Sequence, residues 1–322
     1  MFAGAAYNWH AAPDGGGVFA TTDGWIYVSN SEVTGSGGVG AIRFLADGTV
    51  VDAYSILTGT SRNCAGGTTP WQTWLSCEET TTGLVYECDP FGSNLPVVLP
   101  ALGAFNHEAV AVDPVNWQLY LTEDQPDGRL YRFTPSSMLT ASQPDLSSGI
   151  LEVAELNGLV EPYMVIWHPI SDAAGTTTAT RYQVAQSSPF NGGEGIFYHD
   201  GVVYFSTKGD NRIWAYDIGI NAMTVVYDAA DFSNPVLTGV DNVAVSTNRD
   251  VYIAEDGGNL QIVAIASDGA IVPIIELVDH DASEVTGPAF APTGDRLYFS
   301  SQRGTTGNPN GGITFEIRGG FF

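Results

Sequence analysis

The sequence predicts an all-β chain folded as a six-bladed β-propeller. Three observations predict it: short β-rich segments recur along the chain, each is followed by a turn and a further strand, and the interval between them is nearly constant. The segments are "WIYVSNSE" (25–32), "TWLSCEE" (73–79), "QLYLTED" (118–124), "VVYFSTKGD" (202–210), "DVYIAEDGG" (250–258) and "RLYFSSQRG" (296–304). With Tyr27, Leu75, Tyr120, Tyr204, Tyr252 and Tyr298 as markers, the intervals are 48, 45, 84, 48 and 46. Multi-stranded units of roughly 40–50 residues at a fixed period indicate a propeller. A pair of β-sandwiches is the other all-β solution, but it would not produce so regular a period.

Within each unit the elements follow in order. An inner strand precedes the marker, as in "EAVAVD", "EGIFYHD" and "DNVAVS". The marker strand alternates or clusters Tyr, Phe, Val and Ile and ends in polar turn residues. A further strand follows: "VGAIRF", "GLVYECD", "GRLYRFTP", "NRIWAYD", "LQIVAIASDG" and "GGITFEI". Asp-Gly pairs at Asp23-Gly24, Asp47-Gly48, Asp127-Gly128, Asp200-Gly201 and Asp268-Gly269 fit tight hairpin turns. The one long interval holds residues 135–190, rich in Ser, Thr, Pro and Ala, which reads as an insertion between blades 3 and 4 rather than a seventh unit. Helix is expected almost nowhere else. A single domain spans 1–322, and residues 1–10 are expected to supply a strand that closes the ring with the final blade.

Lys and Arg number 11 against 36 Asp and Glu, a formal net charge of −25. Such a surface repels nucleic acid and anionic membranes and suits cations, or it serves solubility alone. No apolar run approaches the roughly 18 residues of a membrane span. The opening "MFAGAAYNWH" has no basic segment before an apolar stretch, so no leader is visible in this chain. Three cysteines suit one disulfide and one free thiol in an exported protein. Cys77 and Cys88 flank the hairpin "EETTTGLVYE" and would face each other across neighbouring strands, leaving Cys64 free.

Counting back about eleven residues from the markers reaches Cys64, Glu108, Glu194 and Asp241, with Asp14 and Glu284 close to the same phase in the first and last units. In a propeller these positions converge on one mouth of the central channel. A second ring follows three to five residues after each marker: Glu32, Glu78 and Glu79, Glu123 and Asp124, Lys208 and Asp210, Glu255 and Asp256, Gln302 and Arg303. Together they predict an acidic funnel. Converging carboxylates repel one another unless cations intervene; they suit Ca²⁺, and a lone thiolate adds affinity for a softer metal such as iron. Solvent-facing turns would account for part of the second ring equally well. His107, beside Glu108, would assist the site or serve as a hydrogen-bonded structural histidine.

These segments resemble the PhoX-type alkaline phosphatases, a family of calcium- and iron-dependent propellers. The resemblance runs over nearly the whole chain, through "TSRNCAGGTTPWQTWLSCEE", "FNHEAVAVDP", "GGEGIFY", "YFSTKGDNRIWAYD", "GVDNVAVS", "AEDGGN" and "SEVTGPAFAPTGDRLYFSSQRG". It implies an exported monoesterase that hydrolyses small phosphate esters with Ca²⁺ and Fe³⁺. It further implies Cys64 as an iron ligand beside Glu78, Glu79 and Glu108, with Glu194, Asp241 and Glu284 completing the iron and calcium shells. Larger members carry a phosphate-contacting arginine where this chain has Gly192. Lys208, the only lysine, is read as supplying that charge with Arg303 or Arg62, or as an ordinary solvated residue. The expected form is a monomer with no nucleic-acid partner and no membrane span. A calcium-binding propeller without chemistry and a lactonase- or phytase-type hydrolase are the alternatives.

Overall fold

The computed structural model describes residues 7–321. The chain is all-β and propeller-like. Three four-stranded sheets, one three-stranded sheet, one nine-stranded sheet and a small two-stranded ribbon hold the strands. Helix among the described residues is limited to five three-residue 3₁₀ turns, and no helix is long and apolar enough to cross a membrane.

Inner strands Pro13–Ala20, Gly67–Thr68, His107–Asp113, Gly193–His199, Val240–Val245 and Val285–Phe290 pack side by side in that order, and the last returns to the first. Each pairs antiparallel with its marker strand, so every marker residue sits second from the channel. Marker strands read as continuous apolar runs because both faces are buried. Ile26 and Val28 enter one apolar cluster while Trp25 and Tyr27 enter the next. Leu119 and Leu121 likewise part company with Tyr120. This two-residue period feeds six apolar clusters, each filled from neighbouring sheets.

The same period corrects the expected disulfide. Cys77 lies opposite Val85 and Cys88 opposite Trp74, and the two side chains enter different clusters. All three cysteines are free. Of the expected Asp-Gly turns, Asp200 and Gly201 take φ of 46° and 84°, the left-handed pair of a two-residue turn, and Gly48 and Gly269 are also left-handed. Gly24 instead begins a strand and Gly128 bridges to Phe190, neither pair with a left-handed residue.

Residues 135–190 are more than an insertion. Gly149–Asn157, with "ILEVAEL" alternating, pairs with Leu130–Pro135 as an outer strand. Tyr163–Pro169 pairs with Gly149–Asn157 and also with Ala222–Asp228, in register at Tyr163↔Met223 and Met164↔Ala222, which joins two groups of strands into the nine-stranded sheet. Ring closure also differs from expectation. Residues 7–12 form no strand, and the rest of the expected closing segment, residues 1–6, lies outside the described residues. Without a strand there, Trp9 Nε1 donates to Thr314 Oγ1 at 2.9 Å and the Ala12 amide to the Pro309 carbonyl at 2.8 Å. First and last units also meet through Tyr27 stacked on Tyr298 at 4.9 Å and a Trp25 Nε1 to Tyr298 hydroxyl bond of 3.0 Å.

Candidate metal centre

Five of the six inner strands carry one extra residue relative to their marker strands at the same end of the channel; in Val285–Phe290 the bulge falls later, between Thr286 and Ala289, past Glu284. Pro13 and Gly16 oppose Ser31 and Ser29; His107 and Val110 oppose Glu123 and Leu121; Gly193 and Ile196 oppose Thr207 and Phe205; Val240 and Val243 oppose Glu255 and Ile253. Asp14, Glu108, Glu194 and Asp241 lie inside these bulges. Cys64 lies in the corresponding one between the Asn63↔Glu78 bridge and the Gly67↔Leu75 pair. A bulge re-aims a side chain that regular pleating would send between the sheets. Here it turns carboxylates into the channel.

Neighbouring units fix the bulges. Asn30 Nδ2 donates to the Cys64 carbonyl at 2.8 Å and also to that of Ala65. Thr122 donates to the Glu194 carbonyl, Ser206 to that of Asp241, and Thr286 to that of Pro13 at 3.0 Å. The Gly287 amide donates to Asn242 Oδ1.

Four overlapping triads result: Asp14, Glu32 and Cys64; Cys64, Glu79 and Glu108; Glu108, Glu194 and Asp241; Asp241, Asp256 and Glu284. Within each, one ligand atom per residue lies within 4.8 Å of the others. Glu108 is 1% exposed, and neither of its carboxylate oxygens has a hydrogen-bond partner. Burial drives its pKa well above the usual carboxylate range, with Glu194, Glu79 and Asp241 adding to the rise. Asp14, Glu194 and Glu284 are raised for the same first reason. Burial takes Asp241 to about 7 and Glu79 to about 8. Burial and then Asp14 push the Cys64 thiol up. Cations would relieve all of this, since unpaired buried carboxylates are costly. An orphaned Glu108 inside an oxygen-rich set with one sulfur fits hard cations plus one softer metal.

Three cationic side chains reach into the ring. Lys208 Nζ is 2.9 Å from Glu194 Oε1, 3.2 Å from Asp256 and 3.9 Å from Asp241. The first contact is an ion pair without hydrogen-bond alignment, so Glu194 Oε1 still lacks a bonded donor. Arg303 contacts Glu284 at 3.1 Å and Asp256 at 3.8 Å. Arg62 pairs with Glu32 at 3.1 Å and with Glu79.

The acidic pairs of the second ring divide, because successive strand residues face opposite ways. Glu79 and Asp256 enter triads. Glu78, expected beside Glu79 as a ligand, accepts instead from the amides of Ser61 (2.9 Å) and Leu84 (3.3 Å). Glu255 accepts from the amides of Thr238 and Gln261, both at 2.9 Å. Glu123 is held by Tyr131 at 2.9 Å and Arg181 at 2.8 Å. His107 takes the structural role: its Nε2 bonds the Gly103 carbonyl at 3.0 Å and it packs on Phe105. Gln302, a neutral member of the second ring, bridges Asp14 (2.7 Å) and Glu32 (2.8 Å) through its Nε2.

The family described as alkaline phosphatase PhoX matches residues 28–87 and 80–236, more than half of the chain. The fold is similar to that of Pseudomonas fluorescens PhoX in complex with vanadate, a transition-state analogue, with a TM-score of 0.74 and 17% identity over 91% of this chain and 84% of that one. It is also similar to a gluconolactonase of Xanthomonas campestris, with a TM-score of 0.54 and 14% identity over 92% and 84%. At these identities the likeness is one of fold. No curated protein matches the chain in sequence.

Proposed function

The chain belongs to the alkaline phosphatase PhoX family, and on that premise we propose that it is an exported phosphomonoesterase acting on small phosphate esters at a calcium and iron site in the acidic funnel. The observation that carries the proposal is Glu108, a buried carboxylate with both oxygens unpartnered at the junction of two ligand triads.

On this reading Asp14, Glu32, Cys64, Glu79, Glu108, Glu194, Asp241, Asp256 and Glu284 hold the ions, with Cys64 at iron. Glu78 stays outside the set, its oxygens being engaged by backbone amides. Bound ions supply Lewis-acid clamping of phosphate oxygens and neutralise charge developing in the transition state. The chain's own part is to hold a rigid, half-dry ring and to present cationic side chains at its rim. Lys208 and Arg303, with Arg62 across the funnel, bind and orient the phosphate group; lysine does so as a point charge and arginine as a fork. Gly192 presents no side chain for this, and its φ of 68° disfavours one. Six blades are part of the same proposal, supported by the six inner strands around the channel and by counting the nine-stranded sheet as two blades joined at the Tyr163 and Met164 pairs. The form proposed in solution is a monomer.

Protein purified without chelator and analysed for metals is expected to contain iron with calcium, and to hydrolyse an aryl phosphate at alkaline pH. Lys208→Ala is expected to lower kcat/KM by roughly 2–4 kcal/mol in free-energy terms. Calcium without iron, and no hydrolysis, would leave a binding propeller.

A further inference from the structure

Lys208 is held by the carboxylates that also form two of the ligand triads. Its ammonium contacts Glu194 and Asp241 from one triad and Asp256 from the next. Arg62 repeats the arrangement, contacting Glu32 of one triad and Glu79 of its neighbour. A cation at about 2.3–2.6 Å from a carboxylate oxygen and an ammonium at 2.9 Å from that same oxygen place two positive charges side by side, where they repel. Glu108 adds an independent pointer: it completes the triad with Glu194 and Asp241, yet no cationic side chain reaches either of its oxygens. The lysine therefore covers part of the site and leaves the deepest ligand free for an incoming ion.

From this geometry we infer that Lys208 is an internal counter-ion that competes with cations for the Glu108–Glu194–Asp241 triad, and that cation entry releases its ammonium to bind the phosphate group. Binding of metal and of phosphate is then coupled through one side chain, and by linkage each strengthens the other. Lysine suits the exchange: its flexible stem can swing between partners, and its side chain is about one-third exposed. The inference rests on the metal-binding reading of the ring and not on turnover.

The test is calcium titration of parent protein, Lys208→Met and Lys208→Arg, followed by calorimetry, with inorganic phosphate then titrated into each calcium-loaded protein. Lys208→Met is expected to bind Ca²⁺ about tenfold more tightly, within the usual range of coupling between sites, and to bind phosphate more weakly. Lys208→Arg, keeping the charge, is expected to stay within about twofold of the parent for Ca²⁺. If Lys208→Met does not fold without metal, chelator competition against the loaded protein gives the same comparison. Unchanged or weaker Ca²⁺ binding in Lys208→Met overturns the competition; phosphate binding that ignores Lys208 overturns the coupling. Tighter Ca²⁺ binding in a protein with no phosphatase activity keeps this inference and removes the phosphatase reading. An active phosphatase whose Ca²⁺ affinity ignores Lys208 does the reverse.

Discussion

The same six inner strands build two unlike mouths of one channel. At the end where they begin, Asp14, Cys64, Glu108, Glu194, Asp241 and Glu284 converge. At the other end they line a cavity of about 540 Å³ with residues such as Val18, Val112, Phe197, Val245 and Phe290, and no Asp, Glu, Lys or Arg contributes to its wall. The chain's excess of acid is thus not spread evenly along the channel. Where the pleat is regular, inner strands present small apolar groups that pack. Where five of the strands take on one extra residue, and at Glu284 ahead of the sixth strand's bulge, they present acidic and thiol groups that do not satisfy one another. The acidic mouth gathers unsatisfied carboxylates of the kind that suit cations, and the opposite mouth is apolar.

The strongest challenge to that contrast is to remove the cations. Chelation is expected to lower the melting temperature at pH 8 by on the order of 10 °C, since each ion held at 100 times its dissociation constant contributes about 2.7 kcal/mol. The pH dependence should also invert. In the stripped protein Asp241 and Glu79 sit near 7 and 8, above their unfolded values. The folded state then binds more protons, so stability is greatest in acid and falls as pH rises through 7 and 8. The loaded protein, with its ligands held ionised, should instead lose stability as pH falls. Equal melting curves with and without metal, at both pH 5 and pH 8, would reduce the ring to surface charge.

A narrower cut is Cys64→Ser, expected to lose iron by elemental analysis while keeping most calcium and the fold. Iron retained by the serine variant would remove the thiolate from the ligand set. Glu78 and Glu79 then sharpen the contrast within one dipeptide. Glu78→Ala is expected to cost about 1–3 kcal/mol by leaving two amides unpaired, with metal content unchanged, whereas Glu79→Ala should lower metal content. A change at the opposite mouth, Thr247→Val, should shift stability by less than about 0.5 kcal/mol and leave metal content alone.

The period, the all-β class and the inner-strand phase were legible because marker strands are buried on both faces and repeat at a nearly fixed interval. The triads were legible in outline, since Glu108, Glu194 and Asp241 keep that phase. What escaped the sequence has physical causes. In the first unit the bulge opens one pair further from the marker, after Gly16↔Ser29, whereas in others it opens after Val110↔Leu121 or Val243↔Ile253; this moves Asp14 off the count from Tyr27, and no local signal marks it. Whether Glu78 or Glu79 faces the channel depends on the pleat at the end of Trp74–Cys77. The opposed sides of Cys77 and Cys88 follow from register, which an apparent hairpin does not reveal. Gly149–Asn157 was hidden by the polar residues around it, although its own alternation is plain.

The bonds that run from each unit to the next unit's bulge have a consequence for how the site comes into being. Gln302 grips Asp14 across 288 positions of chain, and Thr286 grips Pro13 across 273. No triad belongs to one sheet. A growing chain therefore gathers its acidic groups in steps, as each unit docks on the one before it, and the last docking sets Gln302 against Asp14. Every triad straddles a joint between units, so one slackened joint is felt by the side chains on both sides of it.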